Sequence, residues 1–91
     1  MTRRVAMPWF EPGQYRSARA IMSDADKLPA DHDLWAMSAN QVAQELERAG
    51  LVIVRVLIEP DAFTDWCRER GIPADSKARH AYAEASLGEA S

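Results

Sequence analysis

Apolar residues recur at helical intervals along most of this chain, but from Leu51 to Ile58 they run almost without a break, LVIVRVLI, with Arg55 as the one polar residue. Val52, Ile53, Val54, Val56 and Ile58 are β-branched, and such side chains suit a pleated strand better than a helix. A strand apolar on both faces must be covered on both. The pattern therefore predicts a central strand over 51–58 that the rest of the chain wraps or pairs. Within it, Arg55 needs a carboxylate or a route to solvent, and Glu45 or Asp65 is the expected partner.

The flanks read as helices. Trp35, Ala39, Val42, Leu46 and Ala49 recur at alternating four- and three-residue spacings, predicting the packed seam of a long helix over 31–49. Gly50 ends it, with Leu46 and Leu51 placed where a Schellman cap joins two apolar side chains. Upstream, Pro12 suits the first turn of a helix running to Met22, with Tyr15, Ala18, Ile21 and Met22 inward and Arg16 and Arg19 outward. Residues 23–33 form an acidic connection. After the strand, Pro60 breaks pairing. Asp61 then reads as the N-cap of a helix to Arg70, with Phe63, Trp66 and Cys67 inward. Gly71 repeats the Gly50 terminator, and Asp75 or Ser76 starts a last helix with Ala78, Ala81, Tyr82 and Ala85 as a narrow stripe.

The N-terminal segment RRVAMPWF reads as a short strand with Val5, Met7 and Trp9 on one side. Pro8 restricts it to a sheet edge or an extended arm. The expected fold is a small, mainly helical α+β domain of about four helices around the strand 51–58. It spans 1–91 as a single domain, with residues 1–6 an arm and 88–91 a frayed tail. Two pairings are open to the central strand. It pairs with residues 3–7, the intervening helices acting as a crossover, or with its own copy across a two-fold axis. The second is preferred, because it also enlarges a limited core.

Length and charge narrow this only modestly. A chain of 91 residues buries roughly 60–65% of its unfolded surface, so a monomer has a limited core. Residues 1–20 carry four arginines against Glu11, whereas residues 21–65 hold nine acidic and three basic residues. An acidic middle between basic ends favours self-association and not a dedicated nucleic-acid binder. The lone Cys67 excludes an internal disulfide and fits a reducing compartment. No stretch approaches a membrane span, so a cytoplasmic protein without membrane attachment is expected.

Candidate chemistry is sparse. Asp24, Asp26, Asp31, His32 and Asp33 are dense enough to suggest a divalent cation, but the calcium-loop template fails at Leu28, Pro29 and Trp35. The simpler reading is that these acids cap turns and a helix start, and no metal, cofactor or catalytic residue is assigned. Cys67 near a helix C-terminus has the dipole set against its thiolate and reads as a small core hydrophobe. His80 lies one turn from Glu84. The residues kept as a ligand-binding candidate are Trp9, Arg55, Trp66, Cys67 and His80. Trp9 serves either as a lid over the core or as an interface anchor.

The runs MPWF and DWCRERGIPADSKARHAYAEA, joined by the strand and IEPDAF, resemble a type of short, uncharacterised bacterial protein. The resemblance spans most of the chain and implies a free-standing bacterial domain, with no activity to assign to any residue. The leading functional expectation is a homodimeric protein-interaction or regulatory module, with a further protein partner left open. The alternatives are a small-ligand binder or enzyme using Cys67, His80 and the nearby arginines, and a nucleic-acid binder using Arg68, Arg70, Lys77 and Arg79.

Overall fold

The computed structural model describes residues 3–90. In chain order it comprises β1 (Arg4–Trp9), a 3₁₀ turn (Pro12–Gln14), α1 (Tyr15–Ile21), a second 3₁₀ turn (Ala25–Lys27), α2 (His32–Arg48), β2 (Val52–Leu57), α3 (Pro60–Arg70) and α4 (Ser76–Ala90). The two strands pair in parallel from Arg4↔Val52 to Trp9↔Leu57. The α1–α2 connection is the crossover that a parallel pair requires. Of the two pairings open to β2, the one with the N-terminal segment is present within the chain. The arm expected over residues 1–6 is strand from Arg4 onward, residues 1 and 2 lying outside the described residues. The frayed tail expected from Gly88 is helix as far as Ala90, and Ser91 also lies outside the described residues.

Strand alternation assigns the two faces of the sheet. Val5, Met7 and Trp9 share one face with Ile53, Arg55 and Leu57. On that face Arg55 reaches Asn40 of α2 and Trp9 packs on Trp35 of α2, so α2 covers it. The opposite face leads to Ile58, which is 1% exposed and clusters with Phe63 and Cys67 of α3 and Ala78 of α4. Phe10, Tyr15, Ala18 and Met22 complete this core.

Cover over β2 is incomplete, contrary to the expectation of a strand buried on both faces. Val52 is 44% and Leu57 55% exposed. The physical reason is that one helix over each face of a two-stranded sheet leaves the outer flank of β2 open.

Two helix ends are built as their glycines predict. Leu51 N–H donates to Leu46 O and Gly50 N–H to Glu47 O, both within 3.1 Å, with Gly50 at φ 90°. Ile72 and Gly71 repeat the pattern on Cys67 and Arg68, with Gly71 at φ 64°. This is the Schellman arrangement.

Four local expectations need correction. The buried line of α2 is Ala39 and Ala43, while Val42 is 48% exposed and Ala49 is also exposed. Small side chains let the helix approach the sheet closely, which turns Val42 to the rim. In α4 the fully buried alanine is Ala83, whereas Ala81 is exposed. Glu59, not Asp61, caps α3: its carboxylate accepts from Ala62 N–H at 2.6 Å, with Pro60 in the first turn. Ile21, expected inward, is 37% exposed at the end of α1.

Candidate functional site

The acidic connection is tied down residue by residue. Asp31 caps α2 by accepting from Asp33 N–H at 2.7 Å. His32 Nε2–H donates to Phe10 O at 2.8 Å, which leaves Nδ1 buried without a hydrogen-bond partner among the described residues. Tyr15 donates to Pro29 O, and burial raises its phenol pKa, opposed by Arg19 and Arg79. Asp24 accepts both guanidinium N–H groups of Arg79, at 2.8 and 2.9 Å. The hydrogen bonds from Arg79 hold the Asp24 carboxyl below the usual carboxylate range, against the opposing effect of burial. Among the described residues no three His, Cys, Asp or Glu side chains form a metal-binding group.

The nucleic-acid alternative groups Arg79 with Arg68, Arg70 and Lys77. The Arg79 side chain is only 8% exposed, because Asp24 neutralises it and the core closes around the pair. The other two arginines are also engaged. Arg68 lies 3.6 Å from Asp65, and Arg70 lies 4.0 Å over the ring of Trp66 and 3.8 Å from Glu69. The basic stretch therefore does not present four free cations.

The five candidate ligand-binding residues fall into four places. Trp9 and Arg55 meet, the guanidinium carbon standing 4.5 Å from the ring centroid. Arg55 also donates to Asn40 Oδ1 at 3.3 Å and is exposed. It has a route to solvent and not the expected Glu45 or Asp65 partner, and Asp65 is committed to Arg68 on α3. Trp66 packs edge-on against Tyr82 in a separate shallow groove between α3 and α4. Cys67 is 4% exposed, and its thiol pKa is raised by burial and then by Asp75. That is the environment of a packing residue, not of a nucleophile. Trp9 packs edge-on against Trp35 with ring centroids 4.9 Å apart.

His80, exposed on α4, lines a groove of about 320 Å³ along the outer edge of β1. Met7 and Pro8 border it, with Trp35, Ser38 and Val42 of α2 on one side and Ser76 and Arg79 of α4 on the other. The lining is mainly apolar. No hydrogen bond joins Ser38 or Ser76 to His80 among the described residues, so the groove has the shape of a binding surface without an activated hydroxyl. The α2 residues Trp35, Ser38 and Val42 recur at three- and four-residue spacing. That signal was legible, but it reads equally well as a core seam.

The edges of the sheet differ. Val52 N–H donates to Arg3 O and Ile58 N–H to Trp9 O. In this register Arg4, Ala6 and Pro8 turn their backbone groups away from β2. Pro8 thus stands where its missing donor faces outward. On the far side, Ile53, Arg55 and Leu57 turn their N–H and C=O groups to an edge with no strand partner among the described residues. No helix among the described residues is long and apolar enough to cross a membrane. No protein-family model, curated protein or solved structure matches the chain.

Proposed function

We propose that the protein is a small interaction or regulatory module that works by associating with a second copy of itself. The observation that carries this reading is the unfinished parallel sheet. Parallel sheets are normally covered on both faces and built from more than two strands, yet here large apolar side chains remain at the surface of the sheet and its covering helix. Leu57, Val52, Leu34 and Met37 are between 44% and 67% exposed. Self-association would bury them and enlarge a core limited by chain length. The arginines and His80 that an enzymatic reading would use are dispersed or committed, which favours the interaction reading. Light scattering across a dilution series tests it. A concentration-dependent approach to twice the 10.2 kDa chain mass is expected, and a monomer at every concentration would overturn it.

A further inference from the structure

We infer that the self-association surface is the free edge of β2, and that a second β2 adds to it antiparallel about a two-fold axis at Val56. The inference rests on the self-association reading above and specifies its geometry. Three observations carry it.

First, the two sheet edges are unequal. The outer edge of β1 carries Pro8, whose missing donor faces outward and discourages strand addition. The outer edge of β2 has Ile53, Arg55 and Leu57 with outward-facing backbone groups, and no proline, glycine or lysine. Glu59 continues the extended backbone past the strand, at φ −84° and ψ 123°. The edge is therefore open from Ile53 to Glu59.

Second, the length of the open edge and charge together select the register. In an antiparallel pair joined through the outward-facing residues, an axis at Val56, the midpoint of the open edge, pairs it in full from Ile53 to Glu59, whereas an axis at Leu57 sets Ile53 opposite Asp61, already in α3, and shortens the ladder. An axis at Arg55 sets two guanidinium groups directly opposite each other, which is destabilising. With the axis at Val56, Arg55 faces the partner's Leu57, with the partner's Glu59 on one diagonal and the partner's Arg55 on the other. With the axis at Val54 it faces an isoleucine and gains no carboxylate. Among the described residues Arg55 has no carboxylate partner, its side-chain contacts being Asn40 and the Trp9 ring.

Third, such an axis, perpendicular to the sheet, brings α2 beside its own copy over one face. Asn40 marks the flank of α2 next to β2. Three residues earlier and about 60° around the helix from Asn40 is Met37, 67% exposed. Its side chain adds apolar area that a strand pair alone lacks, toward the ~800 Å² per partner of a stable interface. The product is a four-stranded sheet, a common size.

Single cysteines introduced in a Cys67→Ala background at Val54, Arg55 and Val56 read the register. Opposed residues at a non-hydrogen-bonded antiparallel position lie about 4.5 Å apart at Cα, within disulfide range. Val56→Cys is expected to cross-link at least tenfold faster than Val54→Cys or Arg55→Cys under mild oxidation. Separately, Leu57→Lys is expected to raise the dimer dissociation constant at least tenfold with an unchanged far-ultraviolet circular dichroism spectrum. A dimer that cross-links fastest at another position, or that tolerates Leu57→Lys, overturns the edge and register while leaving self-association intact. A wild-type monomer at all concentrations overturns both.

Discussion

Asp24 and Arg79 grip each other through two parallel hydrogen bonds of 2.8 and 2.9 Å, although 55 residues separate them in the chain. The pair ties the acidic connection before α2 to the first turn of α4. Ser23 reinforces the same junction by donating its N–H to Ala74 O at 2.8 Å. With side-chain exposures of 8% and 13%, neither charge can fall back on bulk water. Asp24→Asn should therefore lower stability by about 3 kcal/mol, because removing one partner leaves an uncompensated buried charge. Urea unfolding followed by tryptophan fluorescence measures this. A loss below about 0.5 kcal/mol, the level of an ordinary surface substitution, would contradict it.

The same pair sets an acid limb. Since the folded-state pKa of Asp24 lies below its unfolded value of about 3.9, its contribution is present above that value. It is lost as pH falls through the lower folded-state pKa. The urea midpoint of the wild type should drop below about pH 4 more steeply than that of Asp24→Asn. Parallel curves would sink the assignment.

Cys67 should behave as a packed side chain under alkylation. Burial and Asp75 raise its pKa, so labelling of the native protein at pH 8 should be at least about 100-fold slower than in urea. The linked stability runs the other way from that of Asp24. The unfolded thiol ionises first, so stability falls as pH rises above about 8.5 toward the higher folded-state value. Native labelling as fast as in urea would show an open thiol.

The corrected face of α2 yields a paired test. Ala43 is fully buried and Val42 is 48% exposed. Ala43→Leu should cost about 1–3 kcal/mol through overpacking, while Val42→Ala should stay within about 0.5 kcal/mol. Thermal unfolding of both variants decides it, and the reverse order would restore Val42 to the buried seam.

Gly71→Ala should cost about 1 kcal/mol. The glycine holds φ 64°, and a Cβ there meets nothing within 4 Å, so conformational strain alone acts. Gly71→Asn should cost less, since asparagine tolerates the left-handed region better. Equal losses in urea would point to a contact and not to the backbone.

What could be read from residues alone divides along a physical line. The glycine terminators, the proline entries, the helices and the strand over 51–58 are set by local backbone chemistry, and all appear. Exposure of that strand was misjudged because composition reports apolarity and not how many elements are available to cover it. Val42 and Ala43 were exchanged for a related reason: helical spacing defines a stripe but not its exact centre, and alanine marks close approach as well as mere helix propensity. Among the candidate residues, only Trp9 and Arg55 came together. The Asp24–Arg79 pair left no sequence signal, since nothing local links a turn aspartate to a helix arginine far downstream.

Because β1 and β2 run parallel, the sheet has no hairpin from which to nucleate. Each residue of β1 finds its partner only after α1, the acidic connection and the whole of α2 have been made. During synthesis β1 thus emerges before the other described elements and is among the last of them to acquire its hydrogen bonds. Every ladder bond closes a long loop, which slows folding relative to a helical bundle of equal size. A newly made chain therefore passes through a stage with both strands unpaired, when its risk of associating with the wrong neighbour is greatest.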